Sequence, residues 1–125
     1  MIQTPSANVK YDLEERTAKF GEHIILLCMK IPKNIITAPL IHQLIKCATS
    51  IGANYCEADD AESKKDFKHK IGICKKESRE SKHFLRMLAI ATPEHREDVR
   101  KLWQEAKELN LIFNRIFRST SEIRN

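Results

Sequence analysis

Six cationic side chains in the middle of the chain have the type and spacing to bind phosphate groups. They are Lys64, Lys68, Lys75, Arg79, Lys82 and Arg86. On a helix with about 100° per residue these positions fall within an arc of roughly 60°, and we call them the basic stripe. Such a concentration of charge produces a strong positive potential, suited to a nucleic-acid backbone or an acidic partner. The alternative is a solvated helix face that binds nothing.

A second set of polar residues is predicted to lie between two helices or two subunits. We call it the polar seam: Gln43, Ser50, Asn54, Glu57, Lys70 and Glu77. Lys70 and Glu77 lie one heptad apart, on the side of their helix that also carries apolar residues, so each needs a partner. Seams of this kind set helix register or oligomeric state more often than they perform chemistry. We therefore predict a structural role for it.

No group of residues has the spacing of a catalytic or metal site. Nucleophilic catalysis needs a Ser or Cys beside a base and an orienting acid, and the sequence predicts no such group. Glu57 and Glu77 could form a carboxylate pair or part of a metal site of the bundle type. Such metal sites use repeated Glu-x-x-His motifs, and Glu80 to His83 has this spacing only once, on an outward face. We predict no enzymatic activity, no metal and no cofactor.

The cysteines indicate a reducing environment. Cys28, Cys47, Cys56 and Cys74 are far apart in the sequence and form no CxxC pair. Zinc sites usually contain such a close pair. We therefore predict four buried, reduced thiols in a cytoplasmic protein.

Four helices are predicted to position these residues. The first runs from about residue 12 to residue 31, where apolar residues recur three and four positions apart. Thr37 is predicted to cap the second helix, which ends at an acidic turn, and Ser63 to cap the third. Thr92 is predicted to cap the fourth, with Pro93 in its first turn. The short links imply antiparallel neighbours, so the predicted fold class is all-α, an antiparallel up-down-up-down four-helix bundle.

The domain organisation follows from the same pattern. In a chain of 125 residues we expect one domain, with a flexible N-terminal arm at residues 1–9, the bundle at residues 10–118 and a frayed tail at residues 119–125. No apolar run approaches the roughly 20 residues of a membrane span, and the N-terminus has no secretion pattern. We predict a cytoplasmic location and no membrane contact.

The region from Ser50 to Leu88 resembles the hallmark region of four-helix-bundle proteins encoded in intervening sequences of bacterial 23S ribosomal RNA genes. That pattern is Ser-Ile-x-x-Asn-x-x-Glu, a polar turn, and Ser-x-x-Asp/Glu-Phe. The matching residues are Ser50, Ile51, Asn54, Glu57, Ser63, Asp66 and Phe67, followed by Lys76, Glu77 and Glu80. The resemblance covers about residues 10 to 118, and it departs from the pattern at Ala58, where the family commonly has Gly. It implies an up-and-down bundle assembled as a ring-like homopentamer, and it implies no established activity.

Self-association is also predicted from the residues themselves. Several helices carry more apolar positions than one buried face needs: Leu26, Met29, Ile73, Phe84, Met87, Leu111 and Ile112. A monomer would expose them to water, and an exposed apolar patch usually marks an interface.

The functional prediction is a non-enzymatic homo-oligomer whose basic stripe binds an RNA or DNA backbone or a ribonucleoprotein partner. The bundle also resembles the basic, pentameric accessory proteins of diversity-generating retroelements, which implies a reverse transcriptase as a possible partner. No aromatic residues interleave with the stripe, so binding should be directed to phosphates and sensitive to salt. The alternative is an oligomeric scaffold that docks an acidic protein without nucleic acid. Neither prediction includes a small-molecule substrate.

Overall fold

Four long helices make up nearly all of the described chain. The structure, a computed structural model, describes the backbone of residues 5–124 and the side chains of residues 13–121. The helices are α1 (Pro5–Lys30), α2 (Thr37–Asp59), α3 (Lys64–Ala91) and α4 (Arg96–Arg124), with one 3-10 turn at Pro93–His95. Residues 5–124 contain no strand. The predicted all-α four-helix bundle is confirmed.

The helices form a closed four-membered arrangement around one core. Helix α2 packs against α1 and α3, and α4 packs against α3 and α1. Most of the apolar positions of α4 that recur three and four apart are buried, among them Val99, Leu109 and Phe113. The ring of Tyr55 on α2 lies 6.0 Å from that of Phe113, centroid to centroid. Burial of each large side chain stabilises the fold by about 1.5–3 kcal/mol, so this face of α4 holds it in the bundle.

Small residues allow α1 and α2 to approach closely. A Cβ atom added to Gly52 would lie 3.3 Å from Thr17 Oγ1 and 3.6 Å from the Thr17 carbonyl carbon. Thr17 is itself buried, and its hydroxyl donates to the Leu13 carbonyl at 2.8 Å. Glycine at position 52 therefore lets α1 pack closely against α2.

Only one of the three predicted helix caps forms as expected. Ser63 Oγ accepts a hydrogen bond from the Asp66 amide at 3.0 Å, as an N-cap serine should. Before α2, it is Asn34 that caps: its Oδ1 accepts from the amides of Ile36 and Thr37 at 2.8 and 2.9 Å. The Thr37 hydroxyl instead donates to the Pro32 carbonyl at 2.7 Å.

The predicted cap at Thr92 is wrong. Its side chain makes no capping bond, and Oγ1 is buried without a partner among the described residues. The chain first forms the 3-10 turn at Pro93–His95, and α4 begins at Arg96. Thr92 also ends α3, and its amide donates to the Leu88 carbonyl at 2.9 Å.

The helices extend further than the sequence pattern indicated. Helix α1 begins at Pro5, so residues 5–9 of the predicted arm are helical, and residues 1–4 lie outside the described residues. Helix α4 continues to Arg124 through most of the predicted tail, and residue 125 lies outside the described residues.

The cysteines divide into two groups. All four are free thiols, and Cys28, Cys47 and Cys74 are buried. Cys56 is exposed, so the prediction of four buried thiols is wrong at this position. It lies beside Gly52 and Ala53 at a surface depression between α1 and α2, two residues before Ala58, the last buried position of α2.

Candidate nucleic-acid interface

The basic stripe runs along α3 and reaches the groove between α3 and α4 through Lys68, Lys75 and Arg86. Arg79 instead lines a depression that it shares with Gln43 of α2. Lys64, Arg79 and Arg86 are exposed, whereas Lys68, Lys75 and Lys82 are half-buried. For Lys68 and Lys75 this half-burial arises because they lie on the α4 side of α3. Among residues 13–121, no member of the stripe forms an ion pair. Its charge is therefore available to an external anion.

One end of the groove contains the ring of Phe117. The Nζ atoms of Lys68 and Lys75 lie 5.0 and 4.3 Å from its centroid, within the range of cation–π contacts. A Cβ atom on Gly72 would lie 3.2 Å from Phe117 Cε1, so glycine here lets the ring lie against α3. The resulting depression, the phenylalanine cleft, has a volume of about 410 Å³. Its lining residues are Lys65, Lys68, His69, Gly72, Ile73, Lys76 and Phe117.

The other end of the groove contains Trp103. A second depression, the tryptophan cleft, has a volume of about 370 Å³. Its lining residues are Leu85, Arg86, Ala89, Arg96, Val99, Arg100 and Trp103. Leu85 and Val99 are buried and make an apolar floor. The cleft therefore combines an apolar floor, an indole ring and three guanidinium groups, one of which belongs to the basic stripe.

A buried amide fixes the register of α4 against α3 between the two clefts. Asn110 Nδ2 donates to the Lys75 carbonyl at 2.9 Å and to Ser78 Oγ at 3.1 Å. Asn110 is 8% exposed, so loss of these bonds would leave buried polar groups without partners. Through this contact the α4 aromatic rings are held in a defined position along the basic stripe.

Neither aromatic ring was expected beside the basic stripe. The prediction that no aromatic residue interleaves with the stripe is wrong for the folded chain, because α4 contributes both rings. Trp103 and Phe117 lie just outside the most buried face of α4. The predicted antiparallel pairing of α3 and α4 was the one signal that could have placed them beside the cations.

The polar seam joins α2 to α3 within one chain. Lys70 Nζ lies 2.6 Å from Glu57 Oε1. This hydrogen bond raises the pKa of Lys70 above its ordinary value. The side chain of Lys70 is 25% exposed and that of Glu57 is 60% exposed, so the pair is at the rim of the helix interface. Solvent screening at such a position makes an ion pair worth little energy.

The middle of the seam is uncharged except for Glu77. Asn54 Nδ2 donates to Ser50 Oγ at 2.9 Å, and Ser50 Oγ donates to Glu77 Oε2 at 3.4 Å. Burial and the nearby charge of Glu80 raise the pKa of Glu77 above its ordinary value. Gln43 is exposed and does not join this network; it lines a separate depression with Arg79 and His83.

The part of the chain that the structure describes contains neither a cluster of metal-ligating side chains nor a membrane-spanning helix. No group of three or more His, Cys, Asp or Glu side chains there could hold a metal ion. No helix in the same part is long and apolar enough to cross a membrane.

The fold and the groove together define a small helical bundle with one strongly cationic face. Residues 10–115 match the family model of the 23S rRNA-intervening sequence protein, and the chain belongs to that family. It is also similar to a crystal structure, at 1.70 Å resolution, of a protein of unknown function from the S23 ribosomal protein family of Bacteroides thetaiotaomicron VPI-5482. The two share 26% sequence identity and a TM-score of 0.72, over 84% of this chain and 97% of that one. Comparison with curated proteins gave no match.

Proposed function

We propose that this protein is a non-enzymatic homo-oligomer that binds the phosphate backbone of RNA or DNA along the groove between α3 and α4. The observation that carries the proposal is the uncompensated charge of the basic stripe. None of its six cations is paired with a carboxylate among the described side chains. Residues 64 to 86 contain nine Lys or Arg and three acidic residues, and a field of this strength attracts polyanions.

Three acidic side chains of the neighbouring elements are engaged away from this groove. Glu57 pairs with Lys70 on the α2 side of α3, and Glu105 and Glu108 contact Arg16 on the α1 side of α4. Acidic residues are therefore engaged at the two interfaces that flank the groove on either side. Among the side chains of residues 13–121, a polyanion that contacts the stripe displaces no existing ion pair.

We further propose that the protein assembles as a homopentamer. Support for self-association comes from large apolar side chains that the bundle leaves exposed: Ile25, Leu26, Met29, Ile35, Ile36, Ile90 and Leu111. The number five is the assembly that the family resemblance implies. A ring of subunits would repeat the basic groove and add to the affinity for a long polyanion.

Charge reversal in the stripe tests the binding. Lys64, Arg79 and Lys82 touch neither aromatic ring at the ends of the groove and form no ion pair among the described side chains. We expect the triple change of these three residues to Glu to weaken binding of an oligonucleotide of about 20 nucleotides at least tenfold at roughly 0.1 M salt, and to reduce the salt dependence of the binding constant. Fluorescence anisotropy measures both quantities.

The matched control reverses three exposed lysines elsewhere, Lys33, Lys46 and Lys101. This variant has the same net charge as the stripe variant, so a similar loss of binding in both would overturn the assignment of the groove. Circular dichroism confirms that each variant is helical. A wild-type protein that binds no RNA or DNA even at low salt would contradict the proposal and favour the scaffold that docks an acidic protein.

A further inference from the structure

The tryptophan cleft has features that backbone binding alone does not need. Phosphate contacts require cations, whereas this cleft also presents an indole ring above a floor formed by Leu85 and Val99. Its volume of about 370 Å³ lies within the range of about 300–1,000 Å³ for pockets that hold small ligands. An apolar floor with a cationic rim suits a ligand that has both a flat apolar part and a negative charge.

The charges around this cleft are all of one sign. The three arginines lie at its rim, and no acidic residue is among the residues that line it. None of the three forms an ion pair among the side chains of residues 13–121. A fourth cation, Lys107, has its Nζ 5.7 Å from the centroid of the Trp103 ring. Guanidinium groups bind phosphates through paired hydrogen bonds and also stack on planar rings.

The space in the cleft depends on a small residue. Ala89 lies on α3 opposite Trp103 and contributes only a methyl group to the lining. Any longer side chain at this position would extend into the volume beside the indole ring. At the phenylalanine cleft the Nζ atoms of Lys68 and Lys75 lie 5.0 and 4.3 Å from the ring centroid, closer than Lys107 lies to the Trp103 ring.

We infer that the tryptophan cleft holds an unpaired base of a bound nucleic-acid strand, stacked on Trp103, while the three arginines hold the flanking phosphates. The inference rests on the proposed function and adds to it that the preferred ligand is single-stranded. In a duplex the bases are stacked on one another and are not free to enter a side cleft, whereas single strands commonly stack their bases on aromatic side chains. Arg86 belongs to both the cleft and the basic stripe, so one strand can occupy both.

Trp103 itself reports on the cleft, because the chain contains a single tryptophan. We expect a single-stranded oligonucleotide to quench the tryptophan fluorescence of the wild-type protein on binding. Inorganic polyphosphate is the charge-only probe: it should bind the stripe and leave the fluorescence nearly unchanged, since it has no base to stack. A duplex of the same sequence should also bind without strong quenching.

Two variants separate stacking from charge. Trp103→Leu removes the ring, and Ala89→Leu fills the cleft while leaving the ring and every charge in place. We expect each to weaken single-strand binding by about 5- to 100-fold, the effect of losing one base–aromatic stack, and to leave affinity for polyphosphate and duplex unchanged. Trp103→Phe should restore most of the single-strand affinity. Ala89→Leu should also remove the fluorescence quenching, and helicity measured by circular dichroism verifies the fold.

The outcomes distinguish the inference from the proposed function. If the wild-type protein binds single strands, duplex and polyphosphate with equal affinity and no quenching, the inference fails and the backbone interface stands. If it binds none of them, the proposed function fails. An acidic polypeptide that quenches Trp103 more strongly than the oligonucleotide would overturn the inference in favour of a protein ligand.

Discussion

Burial determines which of the four cysteine thiols can react with an external reagent. Burial raises the pKa of Cys74 to about 12 and that of Cys28 to about 11. Burial also raises the pKa of Cys47 above its ordinary value, although the Ser81 hydroxyl acts in the opposite direction. Because the thiolate is the reactive form, these three groups are protected both by their surroundings and by protonation. Cys56 is exposed, so its surroundings do not shield it from a reagent.

We therefore predict that one thiol of the native protein reacts rapidly with a disulfide reagent such as 5,5′-dithiobis(2-nitrobenzoate) near pH 8. Denaturation should release the other three, since each raised pKa returns to its ordinary value when the chain unfolds. The Cys56→Ser variant is the control and should show no rapid phase. A rapid phase that persists in this variant would mean that a second thiol is accessible.

At the scale of the helices, the polar seam between α2 and α3 includes one carboxylate in an unfavourable position. Glu77 is half-buried, and burial together with the charge of Glu80 raises its pKa. A carboxyl whose pKa is higher in the folded chain than in the unfolded chain stabilises the fold when it is protonated. Its contribution to stability is present below the unfolded pKa and is lost as the pH rises through the folded value. At neutral pH the ionised Glu77 therefore lowers the free energy of unfolding.

Replacement of Glu77 by Gln should raise the melting temperature at pH 7, since the amide keeps an acceptor for the Ser50 hydroxyl without the charge. The gain in melting temperature should disappear as the pH falls below the ordinary carboxyl pKa of about 4.5. There the protonated Glu77 of the wild-type protein and the amide of the Glu77→Gln variant are both neutral. Thermal melts from pH 4 to pH 8 measure this dependence. Glu80→Gln is the companion variant, because removing its charge should produce a smaller gain with the same pH dependence. A Glu77→Gln protein that is less stable at pH 7 would contradict this explanation.

At the scale of the whole molecule, the exposed apolar side chains cluster at one end of the bundle. Five of them belong to the end where α1 stops, α2 starts and α3 stops: Leu26, Met29, Ile35, Ile36 and Ile90. Met29, Ile35 and Ile90 are each more than 70% exposed. An apolar group of this kind usually marks an interface between proteins, so the proposed contact between subunits is best sought at this end.

The double variant Met29→Glu, Ile90→Glu should dissociate the proposed oligomer, because two charges would have to be buried without partners in the contact. Size exclusion with light scattering measures the mass of the assembly. Arg115→Glu is the control: Arg115 is exposed and lies on α4 away from that end, so this variant should keep the wild-type mass. A wild-type protein that is monomeric at all concentrations would contradict the interface.

The sequence by itself determined the helices, their antiparallel order and the cationic character of α3. Apolar spacing and the Ser63 cap are local signals, and a helix depends mainly on local signals together with one buried face. The start of α4 was predicted less well, because the orientation of Thr92 depends on how α3 ends against its neighbours. The family resemblance was likewise readable from residues close together in the chain.

Only the tertiary structure decided what lies beside the cations. Lys75 and Phe117 are more than forty positions apart in the sequence, and they meet because Asn110 fixes α4 against α3. The apolar period of each helix specifies which face is buried, but the angle at which two helices pack determines which flanking residues meet. The groove, its two aromatic rings and the space left by Ala89 are therefore products of packing.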